Sequence, residues 1–299
     1  MKRDSGTGRK VSDIMVRFLL PALLTPTIAL AGNRSGAADE PAMRVLRTPD
    51  QVRFGLIGAK ADKPAPTLFV FAHSLETMQK DPIYTEVAKL LTEKGFLGVA
   101  VDALCHGEDV RPGEPAELNG WVYRLEREDD FTKSFTAKAS AVLDHLIHEG
   151  YTDTERIAAY GTSRGGFLAV HFAAADRRVR AVAGISPVTN LLAISEFSAT
   201  NDREKAKQLS LAHQAPRLAG CAVWLSIGNH DERVSTDDAI DFTRALVREA
   251  AAKSNDRNVV IPVELVVAPA AGHTKIDQAH ELLATWIVKQ FQEPRVPRE

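Results

Sequence analysis

The sequence predicts an α/β protein with a mostly parallel central sheet and helices on both faces. Three observations carry that expectation. Short runs rich in Val, Ile, Leu and Phe alternate along the chain with stretches of helical period. The apolar runs are continuous rather than alternating, as strands buried on both faces require. Finally, residues able to do chemistry gather just past the carboxyl ends of those runs, where an open parallel sheet places its site.

In chain order, Val52 to Ile57 and Thr67 to Ala72 read as strands, Ile83 to Glu93 as an amphipathic helix, and Phe96 to Ala103 as a further buried strand. Phe131 to His148 has the period of a helix. Ile157 to Tyr160 is a short apolar run, and the pattern that begins at Phe167 is helical. Ala181 to Ile185, Ala222 to Ile227 and Val259 to Val267 complete the strands, with Asp237 to Ala252 and Lys275 to Gln292 as the remaining helices. The segment Asn190 to Leu218 is long enough for a small cap, with Leu191, Leu192, Ile194 and Phe197 placed to line a pocket. Glu108 to Asp130, carrying Trp121 and Tyr123, is expected to form the opposite wall.

Residues 1–31 read as a signal peptide, 32–51 as a polar leader and 52–292 as the folded domain. Lys2, Arg3, Arg9, Lys10 and Arg17 precede the apolar run Phe18 to Leu30, which closes on Ala29-Leu30-Ala31. That sequence of charged start, short apolar centre and small residues is the export pattern. The run is short for a membrane span and is broken by Pro21 and Pro26, so the expected product is exported, periplasmic or extracellular, with no stable membrane association after cleavage. Retention as an uncleaved anchor is the alternative. A net charge of -2 across 299 residues gives no electrostatic reason for a nucleic-acid partner. The two cysteines, Cys105 and Cys221, adjoin apolar runs and are expected as buried thiols, and no paired Cys/His spacing suggests zinc. No cofactor or metal is called for, and the oligomeric state is left open.

The most informative stretch is Arg156 to Gly166, RIAAYGTSRGG. It sets Ser163 between Gly161 and Gly165 where a strand turns into a helix, the G-x-S-x-G form of a nucleophile elbow. Past the strand Ala222 to Ile227 comes GNHDERV, which offers Asp231. Past the last strand comes AGHT, which offers His273. Each alone has an ordinary reading as a loop residue, but together they give the chain order Ser, acid, His at successive strand ends.

On the strength of YGTSRGGF, GNHDERV and AGHT, the chain resembles α/β-hydrolases of the dienelactone hydrolase and prolyl-oligopeptidase-like esterase type, over roughly Val52 to Phe291. Asp231-Glu232-Arg233-Val234 is similar to the acid loop of prolyl-oligopeptidase-like members. His73-Ser74 occupies the place of the common His-Gly after the third strand, with Ser74 where glycine is usual. DALCHG, Asp102 to Gly107, resembles the loop after the next strand. Nothing resembles the propeller of prolyl oligopeptidases.

The resemblance implies the α/β-hydrolase fold and a serine hydrolase with Ser163 as nucleophile, His273 as general base and Asp231 holding the imidazole. It implies an oxyanion hole built from the backbone N–H of Arg164 and a second donor, Leu75 or Ser74. Glu232 is the alternative acid. His73 and His106 are expected to order loops, and the Arg164 side chain is placed to meet an acidic group on the substrate or simply to lie on the surface. The expected reaction is hydrolysis of a carboxylic ester, small or carbohydrate-linked. A peptidase, or a catalytically silent binding protein on the same fold, are the alternatives.

Overall fold

The computed structural model describes residues 43–127, 130–254 and 258–292. The signal-peptide reading, and the leader up to residue 42, lie outside the described residues. The sheet begins earlier than the sequence suggested: β1 (Arg44–Arg47), inside the expected leader, pairs antiparallel with β2 (Arg53–Ile57). Its side chains are exposed throughout, so it lacks the apolar signal by which the other strands were read. The remaining strands are β3 (Ala65–Phe71), β4 (Leu97–Ala100), β5 (Thr152–Thr162), β6 (Val179–Ile185), β7 (Ala222–Gly228) and β8 (Val263–Ala268). They form one eight-stranded sheet in the order β1-β2-β4-β3-β5-β6-β7-β8, parallel from β4 onward.

Helices cover both faces, because successive side chains on a strand point to opposite sides. Phe69, Phe71, Ala159, Val182, Val223 and Leu225 face a core shared with α3 (Glu117–Leu125), α4 (Phe131–His148), α5 (Arg164–Ala175) and α8 (Thr236–Lys253). Leu68, Val70, Ala158, Tyr160, Ala183 and Trp224 face a second core shared with α1 (Leu75–Lys80), α2 (Glu86–Thr92) and α9 (Ala279–Gln292). The expected helix Ile83 to Glu93 is a 3₁₀ turn, Pro82–Thr85, followed by α2. Pro82 suits the first position of that turn, where its missing N–H costs nothing.

Residues 190–218 fold into short pieces: 3₁₀ turns at Leu191–Ala193, Ser195–Phe197 and Ala215–Leu218, with α6 (Arg203–Gln208) and α7 (Leu211–Gln214). Their apolar side chains do not line a pocket as expected. Leu191, Ile194 and Phe197 are buried in the first core, and Leu192 packs against it. Trp121 is fully buried there too, its indole N–H donating to the Leu104 carbonyl, and Tyr123 lies under the Arg127 guanidinium. Transfer of these large apolar surfaces out of water outweighs their exposure to a polar cleft. Cys105 and Cys221 are free, buried thiols, and burial pushes the Cys105 thiol up to about 12.

Candidate active site

The site lies at the carboxyl ends of β3, β5, β6, β7 and β8, around the turn from β5 into α5. Ser163 occupies that turn with φ 53 and ψ -119, a left-handed backbone that a residue with a Cβ adopts at a cost of about 1–3 kcal/mol. The surroundings hold it there. Ser163 N–H donates to the Ile185 carbonyl at 2.9 Å, and its own carbonyl accepts from Gly166 and Val188 N–H, both at 3.0 Å. Gly161 and Gly165 permit the close approach: a Cβ on Gly161 would overlap the Gly165 carbonyl, and one on Gly165 the Phe71 carbonyl.

The structure brings Ser163, His273 and Asp231 together from three strand ends. His273 Nε2 lies 3.1 Å from Ser163 Oγ, and its Nδ1 lies 2.8 Å from Asp231 Oδ2. The Asp231 side chain is wholly buried. Its other oxygen accepts backbone N–H groups from Arg233 at 3.1 Å and Val234 at 3.3 Å, which fixes the carboxylate against rotation. Those two donors explain the spacing Asp231-Glu232-Arg233-Val234: the loop curls back on its own carboxylate. With a carboxylate on Nδ1, that nitrogen carries the proton and Nε2 is free to accept from the serine hydroxyl. Glu232, the alternative acid, is 84% exposed at its side chain and faces His230 at 3.3 Å, away from His273.

Two backbone donors are uncommitted, on Arg164 beside Ser163 and on Ser74 next to the cavity-lining His73. Among the described residues neither the Arg164 N–H nor the Ser74 N–H has a backbone partner. Leu75 does not share that property. Its N–H donates to Asp102 Oδ1 at 2.8 Å, so of the two expected second donors only Ser74 keeps a free N–H. Asp102 is 7% exposed, and its Oδ2 accepts from Arg53 Nη2 at 2.7 Å and Nε at 3.2 Å. Ala103 N–H adds a bond to the His73 carbonyl at 3.0 Å, so the loop after β4 clamps the loop after β3. Sequence reasoning singled out DALCHG by resemblance but not this role. An acid immediately after a buried strand was the available signal.

Arg164 does not lie free on the surface. Its Nη1 donates to Glu117 Oε2 at 2.7 Å and to His106 Nε2 at 2.9 Å. His106 Nδ1 donates to the Leu104 carbonyl at 2.6 Å, which leaves Nε2 as an acceptor. Burial holds the His106 pKa down at about 4 and, with the Arg164 charge, lowers that of His73. Both imidazoles are therefore neutral near pH 7, and they stack edge to face with centroids 4.6 Å apart. His73, His106 and Glu117 place ligand atoms within 4.8 Å of one another, a grouping that could hold a metal ion. The Arg164 guanidinium already occupies His106 Nε2 and Glu117 Oε2, so that set is spent on a cation the chain supplies. Ser163, Arg164, His73, Tyr84, His273 and Lys275 line a cavity of about 390 Å³.

Comparison with known proteins agrees with this architecture. Residues 132–294, more than half of the chain, match the prolyl oligopeptidase family. The chain belongs to that family. It is 37% identical to YcjY of Escherichia coli (strain K12) over 101 residues, 34% of this chain and 29% of that one. It is 31% identical over 102 residues to YitV of Bacillus subtilis (strain 168), named as a candidate esterase, covering 34% of this chain and 37% of that one. The matched segments thus span about a third of these relatives' lengths. In three dimensions the chain resembles TT1662 from Thermus thermophilus, with TM-score 0.62 and 18% identity over 84% of this chain and 99% of the other, a likeness of fold. The protein is an α/β-hydrolase-fold member of the prolyl oligopeptidase family.

Proposed function

We propose that this protein is an exported serine hydrolase that cleaves a carboxylic ester through an acyl-enzyme. The observation that carries the reading is the hydrogen-bonded chain from Ser163 Oγ through His273 to Asp231 Oδ2, at 3.1 and 2.8 Å. Serine is a weak nucleophile near neutral pH. His273 Nε2 takes its proton as Oγ attacks the ester carbonyl, and Asp231 stabilises the imidazolium that forms. The tetrahedral oxyanion is received by the N–H groups of Arg164 and Ser74. His273 returns the proton to the departing alcohol, and water then attacks the acyl-serine with His273 as base again.

A cavity of about 390 Å³ is the size of a small substrate, which supports a compact ester over a long peptide. The relative named as a candidate esterase points the same way. The family name itself favours the second reading, a peptidase, because ester and amide cleavage use the same nucleophile and base. A comparison of short-chain p-nitrophenyl esters, acetylated xylan and aminoacyl-prolyl amides separates the two. Turnover of the esters is expected. Exclusive turnover of the amides would make the enzyme a peptidase, and turnover of neither by a folded protein would favour a silent binding fold. The export reading predicts a mature N-terminus just after Ala31, and an intact N-terminus on membrane-extracted protein would contradict it.

A further inference from the structure

Nothing in the mechanism above uses the Arg164 side chain. The mechanism requires only the Arg164 backbone N–H, yet the guanidinium is built into the site with some care. Two bonds from Nη1 hold it, and it is 22% exposed. The rotamer freedom that a long side chain loses on binding a ligand is therefore already lost here. Glu117, which holds one end, sits at φ 58, a backbone conformation unfavourable for a residue with a Cβ. Of the five guanidinium N–H groups, those on Nε and Nη2 make no hydrogen bond among the described residues. Nε and Nη2 form one edge of the planar fork, the edge that matches a carboxylate with two parallel bonds.

The charge of that fork is only partly answered. His106 is an uncharged acceptor, and the Glu117 carboxylate is 49% exposed, so water screens its pairing with Arg164. Arg164 lines the cavity that Ser163 opens into, whereas its partners His106 and Glu117 do not. The tie is therefore behind the guanidinium. Lys275 lines the same cavity beyond His273, with Glu86 at 3.7 Å as a loose partner, and adds a second positive group. Asp81 is the acid on that wall, contributed from the other end of α1.

We infer that the Nε–Nη2 edge of Arg164 is a substrate subsite, and that the preferred ester carries a second, free carboxylate which this edge binds beside the scissile carbonyl. This deepens the hydrolase reading and rests on it. A charge-assisted bidentate contact in a partly desolvated cleft is worth roughly tenfold to a hundredfold in kcat/KM.

The test compares matched pairs that differ only in that charge. Mono-p-nitrophenyl adipate against its methyl ester places the carboxylate on the acyl side. 3-Acetoxybenzoate against methyl 3-acetoxybenzoate places it on the alcohol side. The wild type should prefer the acidic member of one pair by about tenfold or more in kcat/KM. Arg164→Gln should bring that ratio near or below one, and Arg164→Lys should restore part of it. Glu117→Gln removes the competing charge while keeping an amide oxygen for Nη1, so it should raise the ratio, which a merely structural salt bridge would not do. Ratios at or below one for both pairs in the wild type, or a ratio insensitive to Arg164→Gln, overturn the inference. Fluorophosphonate labelling and neutral-ester turnover are read in the same preparations. If both persist while the ratios stay near one, the carboxylate subsite alone is wrong. If both are missing, the hydrolase reading falls and the subsite with it.

Discussion

Asp102 offers a sharp test of how the proposed oxyanion loop is held, because one carboxylate ties three elements together. It accepts the Leu75 N–H at 2.8 Å with one oxygen and the Arg53 fork at 2.7 and 3.2 Å with the other. Removing it in Asp102→Ala deletes a charge-assisted bond worth about 1.5–3 kcal/mol and leaves a mostly buried guanidinium with only Glu76 and Glu108 nearby. A loss of about 3 kcal/mol in stability is expected. The larger effect is on the reaction. With Leu75 released, the start of α1 loosens and the Ser74 N–H no longer holds its place. A single oxyanion donor is typically worth 10² to 10³ in kcat, so we expect a fall of about 10²-fold with KM changed by less than about threefold. Asp102→Asn keeps one acceptor for Leu75 and should lose only about tenfold. Gly107→Ala disturbs the same carboxylate without replacing it, because a Cβ there would lie 2.5 Å from Asp102 Oδ1. Initial rates on p-nitrophenyl acetate, with urea unfolding on the same samples, separate the two effects. An Asp102→Ala protein that is folded under assay conditions and keeps kcat within about threefold of wild type would refute the reasoning.

Three further outcomes follow from the same contacts. His106 and His171 are buried with pKa values lowered by desolvation to about 4, so between pH 6.5 and 4 the unfolded chain binds more protons than the native one. Stability should fall as pH drops through that window, by about 2 kcal/mol per histidine at pH 5, and His171→Phe should flatten the urea midpoint against pH. Gly165→Ala should cost about 3 kcal/mol or prevent folding, since its Cβ would overlap the Phe71 carbonyl; a soluble variant with an unchanged urea midpoint would contradict the elbow geometry. Dialysis against EDTA should leave ester turnover unchanged, because Arg164 already bonds His106 and Glu117. Activity lost to EDTA and restored by zinc would oppose this.

The sheet was legible because β3 through β7 are buried on both faces and their residues say so in unbroken apolar runs. β1 was not legible: four exposed residues joined to the sheet through backbone bonds leave no hydrophobic trace. The positions of Ser163, Asp231 and His273 could be read because each follows such a run, and Gly161 and Gly165 mark a turn where a side chain would collide with backbone. The cavity walls could not be read. Leu191, Ile194, Phe197 and Trp121 have the composition of pocket-lining residues and also of core residues, and only packing decides between them. The choice between Leu75 and Ser74 as second donor could not be read for a related reason. A backbone N–H carries no sequence signature, and its commitment to Asp102, 27 residues away, is a tertiary fact. The clamp of Glu117 and His106 on Arg164 is tertiary in the same sense.

The most direct test of the proposed mechanism is the reactivity of Ser163 toward a fluorophosphonate probe, read by mass spectrometry alongside kcat in alanine variants. The account predicts labelling at Ser163 in the wild type and none in Ser163→Ala. Ser163→Ala, His273→Ala and the double variant should lose about the same amount, on the order of 10⁶ in kcat, because neither residue acts without the other. Asp231→Asn should lose less, on the order of 10⁴, since nucleophile and base survive with the imidazole in the wrong tautomer. Glu232→Gln should stay labelled and active. A folded Ser163→Ala protein that hydrolyses esters at the wild-type rate, or a probe adduct on another residue, would contradict the account.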